Sequence, residues 1–304
     1  MLFAKEFQEL EAEVWSEVPA ALRRPGVESD WGTANFRQAV DCFLEGPDFD
    51  SQGNLYVVDI PFGRIFRIDA VRHWSVAAEY AGWPNGLKCQ ADGSLLIADY
   101  RRGLVRIHAD GTVEDALSHR HSEHFRGLND LTAAREGVLF FTDQGQSGMQ
   151  DPSGRVYRWQ PDSGMAPSLL LDRIPSPNGL ALNPAGTQLY VAVTRDNAIW
   201  RLPLQSDGSV SKVGRWIQLS GGTGPDGIAC DAAGNLWVAH IGLGCVWCFN
   251  PRGEAVLRVH TPGEWPTNLV VHPHSGDVLI VESQRGQILR VPPSFLHGLR
   301  TARH

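Results

Sequence analysis

One phrase occurs six times in this chain and restricts its fold more than any other feature. A carboxylate or carboxamide residue is followed eight positions later by glycine: Glu45/Gly53, Asn85/Gly93, Asn129/Gly137, Asn178/Gly186, Asp226/Gly234 and Asn268/Gly276. Successive copies lie 40 to 49 residues apart. After each glycine comes a short apolar run with strand character, such as Leu55–Val58, Leu95–Ala98, Leu139–Thr142 and Leu236–Ala239. The fourth copy carries one extra residue, Gln188, before its run. Most runs close on a polar residue: Asp59, Asp99, Asp143, His240 or Glu282. An alternating stretch follows, as in Gly63–Ile68 and Gly103–Ile107, and predicts a further half-buried strand. Asp-Gly pairs between these stretches supply the turns.

A period of roughly 40–50 residues built from short strands is the signature of a β-propeller. Six copies predict an all-β fold, a six-bladed β-propeller. The repeat overrides the length prior, which would suggest about two domains. One propeller domain is expected over residues 31–297, after an N-terminal helix and lead-in (1–30) and before a tail (298–304). The stretch Trp31 to Leu44, with Phe36, Val40 and Phe43, is expected to pair with the last blade and close the ring. Over residues 1–24, Phe3, Phe7, Leu10, Val14, Val18 and Leu22 recur at three- and four-residue steps among Lys5, Glu6, Glu9, Glu11 and Glu13. That pattern predicts an amphipathic helix. It would cover one face of the propeller or, alternatively, join copies into a homo-oligomer.

Charge and apolar content narrow the partners. The net charge is −7 with no basic cluster, which argues against nucleic acid. No apolar run reaches the roughly 18 residues a membrane span needs, so no membrane partner is expected. The N-terminal segment is too charged to be a signal peptide, and the cytoplasm is the expected location. Five cysteines exclude a fully paired disulfide set within one chain. Cys245 and Cys248 form a C-x-x-C within a predicted strand, where positions three apart face opposite sides, which argues against a shared zinc or redox role. Cys89 and Cys230 each lie four residues after the repeat's polar residue and read as small buried hydrophobes.

In a propeller the first strand of each blade lines the central channel, and its opening residue sits at the mouth. That set is Glu45, Asn85, Asn129, Asn178, Asp226 and Asn268. All present oxygen, the donor that hard divalent cations prefer. A cation would also offset the cost of burying two carboxylates together. The competing explanation is local: Asn and Asp open strands because they bond to nearby backbone. Glu45 speaks against it, since Glu has no such turn role.

Leu44-Glu45-Gly46-Pro47, Leu128-Asn129-Asp130-Leu131, Ser176-Pro177-Asn178-Gly179-Leu180-Ala181 and Gly224-Pro225-Asp226-Gly227-Ile228 resemble motifs of the senescence-marker-protein/gluconolactonase family. The resemblance spans about residues 40–291. It implies a six-bladed propeller with one divalent metal ion in the channel, in many members a lactonase. Calcium is the first expectation, with zinc, magnesium and manganese the other candidates. It implies Glu45, Asn178 and Asp226 as metal ligands, Asn129 as a further ligand or substrate contact, and Asp226 as the catalytic carboxylate. Two departures stand out. Sugar-lactone members often carry Arg two residues before the Asn that matches Asn129; here that residue is Gly127, and Arg126 is the nearest arginine. The segment Asp143 to Gln150 lacks the proline that often follows this aspartate.

The expected function is divalent-metal-dependent hydrolysis of a sugar lactone or similar small cyclic ester by metal-activated water. Asp226 is assigned as the base, with Asp130 as runner-up. Asp59, Asp99 and Asp143 are expected either to orient the amides at the mouth or to serve as turn residues. Asn85, Asn268, Trp83, Arg101 and Arg126 are the substrate-binding candidates beside Asn129. Trp265, Phe62, Tyr100, Met149, Arg195 and His240 are further rim candidates. His119, His121 and His124 precede the third copy and read as a loop contact rather than a second metal site. The alternatives are a non-catalytic ligand- or protein-binding propeller, or another small-molecule enzyme on the same scaffold.

Overall fold

The computed structural model describes residues 7–134 and 136–291. Their strands form six propeller blades, each with four antiparallel strands built around one copy of the repeat, and blade five carries a fifth strand along its outer edge. One compact unit spans Val18–Pro177. It holds blade one (Leu44–Phe49, Leu55–Asp59, Arg64–Ile68, Trp74–Glu79), blade two (Pro84–Cys89, Leu95–Asp99, Gly103–Ile107, Val113–Leu117) and blade three (Leu128–Ala133, Leu139–Asp143, Gly154–Trp159, Ser168–Ile174). The other unit combines the N-terminal segment up to Glu17 with the chain from Asn178 onward. Its blade four comprises Pro177–Leu182, Gln188–Val193, Ala198–Pro203 and Gly214–Gln218. Blade five comprises Gly224–Cys230, Leu236–Ile241, Cys245–Phe249 and Ala255–His260, and blade six begins with Pro266–Val271, Val278–Glu282 and Gln287–Arg290.

The repeated glycine is explained by the turn between the first and second strands. All six take positive φ, from 68° at Gly186 to 82° at Gly53 and Gly234, a region that costs other residues a Cβ clash. In blade one the turn is tied by Asp50, whose Oδ1 accepts from the backbone N of Gln52 and Asn54 at 2.9 Å each. The extra Gln188 of blade four is absorbed here: Asn183 N donates to Gln188 O at 3.0 Å, one residue further along than Asp50 N to Asn54 O in blade one.

Each apolar run buries both faces, because neighbouring blades stack sheet on sheet. Leu96, Leu104, Leu128, Leu131, Phe141 and Tyr157 form one core between blades two and three. Tyr190, Ile199, Ile228, Val238 and Phe249 form another between blades four and five. Trp237, Val246, Leu257, Leu269, Ile280 and Leu289 fill the space between blades five and six.

The N-terminal segment differs from the helix expected of it. Gln8–Glu11 is a strand, parallel to Ala255–His260 at the edge of blade five. Glu13–Glu17 is the fourth strand of blade six, antiparallel to Gln287–Arg290. Phe3, Lys5 and Glu6 lie outside the described residues, as does the tail 298–304. Two open sheet edges decided the outcome. An edge presents unpaired N–H and C=O groups, and a charged segment with weak helix nucleation gains more by pairing there than by bonding to itself. The glutamates that looked like a polar helix face make cross-strand ion pairs instead: Glu9 with Arg258 at 3.6 Å and Glu13 with Arg290 at 2.9 Å. Phe7 packs edge-on against Trp247. The contact between copies expected of that helix therefore has no helix to make it.

The stretch after Trp31 was expected to pair with the last blade, and it does not. Asp30–Phe36 is a short α-helix capped by Ser29 Oγ, which accepts from Gly32 N at 3.1 Å. Its Trp31 and Phe36 pack with Phe43 at 4.7–5.8 Å between centroids, anchoring the helix beside the start of blade one.

Candidate active site

In five of the repeats the polar residue stands beside a departure from regular pairing. Leu44 faces Asp59, but Asp48 faces Tyr56, so Glu45 to Asp48 carry one residue more than their partner strand. The same extra residue occurs between Pro84 and Leu87, Leu128 and Leu131, Pro225 and Ile228, and Pro266 and Asn268. A bulge of this kind bends the strand and re-aims a side chain. It also explains why the repeat's polar residues break the alternation that their strands otherwise follow.

The following residue is glycine in four copies, and the structure shows why. In the Val18–Pro177 unit, a Cβ on Gly46 would collide with the Asn85 carbonyl, and one on Gly86 with the Asp130 carboxylate. In the other unit, a Cβ on Gly179 would stand 2.6 Å from the Asp226 carbonyl, and one on Gly227 would collide with the Asn268 amide. The first strands thus approach one another closely at these residues. The first unit sets Glu45, Asn85, Asn129 and Asp130 on three adjoining first strands. The second sets Asn178, Asp226 and Asn268 on three more. Glu45, Asn129, Asp130, Asn178, Asp226 and Asn268 are all buried, and Asn85 is half-buried.

Backbone donors fix several of these groups. Glu45 Oε2 accepts from Gly46 N at 2.7 Å, Asp130 Oδ1 from Leu131 N at 2.8 Å, and Asn268 Oδ1 from Leu269 N at 2.8 Å. The backbone N of Asp130 is held in turn by Thr142 Oγ1 at 3.0 Å. Asn129 differs: its Nδ2 donates to Gln144 Oε1 at 3.3 Å, and its buried Oδ1 has no hydrogen-bond partner among the described residues. A buried carbonyl oxygen without a donor is costly unless a ligand meets it. This orphaned oxygen and the all-oxygen donor set fit a hard divalent cation. Among the described residues no group of three or more His, Cys, Asp or Glu side chains is arranged to hold a metal. A site here would have to mix acids with amides, as the repeat does.

The polar residues that end the second strands were expected to orient the amides or to serve as turn residues. They bond to backbone: Asp99 and Glu282 serve as turn residues, accepting from N–H groups two and three residues on, and Asp59, Asp143 and Glu282 also clamp the chain ahead of the first strand. Asp59 Oδ1 accepts from Phe43 N at 2.8 Å, and its Oδ2 is paired with buried Arg64 at 2.6 Å. Asp143 Oδ1 accepts from Arg126 N and Gly127 N at 2.8 and 2.9 Å. Glu282 accepts from Trp265 N at 3.2 Å. Each therefore holds the chain two or three residues before Glu45, Asn129 and Asn268. Asp99 accepts from Tyr80 Oη and from the backbone N of Arg101 and Arg102. Burial raises the pKa of all four carboxyls against the pull of these donors. His240, a rim candidate from sequence, is fully buried and structural. Its Nδ1 accepts from Trp247 Nε1 at 3.2 Å, which leaves Nε2–H to donate to Gly221 O at 3.0 Å.

Blade two carries the aromatic part of the rim. Trp83 precedes Asn85 by two residues, and Tyr100 follows Asp99; their rings lie 5.8 Å apart. The Arg101 guanidinium lies 3.9 Å above the Trp83 ring and reaches Asp30 of the short helix at 3.3 Å. Arg126 turns toward Ser153 O and Glu123. The histidines before blade three lie on a small hairpin, His119–Arg120 with Glu123–His124, whose paired imidazoles are 5.6 Å apart. All five cysteines are free thiols, with Cys248 in an apolar core and Cys245 buried. Gln144, Thr142 and Ser176 went unnoticed as site residues. Nothing in the repeat marks them: Gln144 and Thr142 meet Asn129 and Asp130 from outside their strand, and Ser176 touches Gln144 rather than either residue.

Comparison with known proteins adds the family. Diisopropyl-fluorophosphatase of Loligo vulgaris is 29% identical over 276 residues, covering 80% of this chain and 87% of its own. Lactonase drp35 of Staphylococcus epidermidis is 30% identical over 233 residues, covering 72% of this chain and 70% of its own. The solved structure of a calcium-binding protein, regucalcin, from Agrobacterium tumefaciens superposes with a TM-score of 0.75 at 22% identity, covering 94% of this chain and 95% of that one. The family model described as the SMP-30/Gluconolactonase/LRE-like region matches residues 43–284, so this chain belongs to the SMP-30/gluconolactonase family.

Proposed function

We propose that this protein is a divalent-cation-dependent lactonase in which Glu45, Asn178 and Asp226 hold the cation and Asn129 faces it or the substrate. The orphaned, buried Oδ1 of Asn129 carries the reading, and the similarity to a lactonase supports the reaction class. Calcium is the first candidate ion, since a structural relative is a calcium-binding protein and the donors are all oxygen. When bound, such a cation would polarise the lactone carbonyl and acidify water.

The chain's own groups then have defined tasks. Asp226 accepts a proton from the water whose oxygen attacks the lactone carbonyl carbon. That proton returns to the ring oxygen as the acyl C–O bond breaks, leaving a hydroxy acid. Asp130 is the alternative base; its Oδ1 accepts from Leu131 N, and its carboxylate lies against Gly86. Trp83, Arg101 and Arg126 line the substrate side with Asn85 and Asn268.

A second reading, hydrolysis of a fluorophosphate ester, draws support from the squid relative. One experiment separates the readings. Aldonolactones, aliphatic lactones and diisopropyl fluorophosphate are offered with and without chelator. Chelator-sensitive opening of a lactone is the expected result. Turnover of the fluorophosphate alone would favour the second reading, and no turnover of any compound would favour a binding propeller.

A further inference from the structure

An amide side chain can present either its oxygen or its NH2 to a ligand, and the neighbour that takes one end decides which is left. For Asn129 that neighbour is Gln144, whose Oε1 takes Nδ2 at 3.3 Å. Gln144 is itself held at both ends. Its Nε2 donates to Ser176 Oγ at 3.0 Å, and its backbone carbonyl accepts from Ser147 Oγ at 2.5 Å. Ser147 Oγ accepts in turn from Ser176 N at 3.0 Å, with Ser176 in the left-handed region at φ 62°. These bonds close a loop through three residues and keep an acceptor on the side of Asn129.

We propose that Gln144 is a positioning residue for the candidate cation site, fixing the Asn129 amide so that Oδ1 faces the ligand. The inference rests on the proposed function in taking Asn129 as an oxygen donor to a divalent cation. A hard cation binds oxygen and is repelled by an NH2 group. A free amide would therefore spend part of its time in an orientation that opposes binding.

Calcium titration calorimetry on the metal-stripped full-length protein tests this without reference to activity. Gln144→Met keeps the size and removes the acceptor, whereas Gln144→Glu keeps an acceptor for Asn129 Nδ2. Gln144→Met should weaken calcium binding about tenfold, and Gln144→Glu should stay within about threefold of the parent or bind tighter. In an Asn129→Ala background Gln144→Met should change nothing further, because its effect passes through Asn129. If Gln144→Met melts early, Ser176→Ala, which loosens the Gln144 side chain, should weaken binding in the same way. The proposal is overturned if Gln144→Met binds as tightly as the parent while Asn129→Ala binds more weakly. It is also overturned if Gln144→Met weakens binding equally in both backgrounds. Failure of the parent itself to bind calcium has a different signature: it overturns the cation reading, and this inference with it.

Discussion

The ring of Tyr100 fills the space that a side chain on residue 127 would need: a Cβ there would stand 2.6 Å from two of its carbons. Gly127 also has φ of 151°, which a larger residue takes only under strain. The arginine that sugar-lactone members often carry here could not fit beside this tyrosine. Gly127→Ala should destabilise the fold by about 1–3 kcal/mol, the usual cost of overpacking, read as a lowered denaturant midpoint. Pairing it with Tyr100→Ala should recover part of that loss, because the clash disappears while the backbone strain stays.

The N-terminal strands make a second testable structure. Glu13–Glu17 covers the free edge of blade six, and Leu10 and Ala12 pack on the core between blades five and six. Deleting residues 1–17 should expose both edges, lower the melting temperature and promote self-association. Light scattering and thermal unfolding of the truncated chain check this. An unchanged melting temperature with a monomeric product would show that the strands add nothing to the fold.

His240 ties stability to pH. Burial holds its pKa below the ordinary 6.5, and its Nδ1 accepts a hydrogen bond that a second ring proton would break. The unfolded chain therefore takes up a proton near pH 6.5 that the folded chain refuses. The contribution of neutral His240 is complete above about pH 6.5 and is lost as the pH falls below it. Denaturant unfolding of the parent and of His240→Gln from pH 7.5 to 5 should show the parent's stability relative to the variant falling as the pH drops, since the raised carboxyls of Asp59, Asp99, Asp143 and Glu282, which act in the opposite direction, are common to both.

Much of this was legible in the sequence, for a physical reason. Turn glycines and strand alternation are local properties, so six copies of Gly53-like turns announced six blades. The first-strand residues Glu45 to Asn268 can also be located by counting, because each lies eight residues before the turn glycine, near the start of its first strand. The N-terminus was misread because Phe7, Leu10 and Val14 satisfy a helical period, while the deciding partners, the edges at Ala255–His260 and Gln287–Arg290, lie more than two hundred residues away. His240 occupied a repeat position shared with acids, yet Trp247 and Gly221 had already claimed both of its nitrogens. Gln144 was invisible for the same reason: a cross-strand amide contact leaves no periodic trace.

The central claim is that Asp226 both holds the cation and takes the proton from water. The most direct measurement is the initial rate of lactone opening by Asp226→Asn, compared with the parent, with circular dichroism confirming the fold. Asn keeps the shape and an oxygen but is no base. Loss of at least about 10²-fold, the lower range for a general base, with an unchanged spectrum is the predicted result. Full activity in that variant would contradict the account.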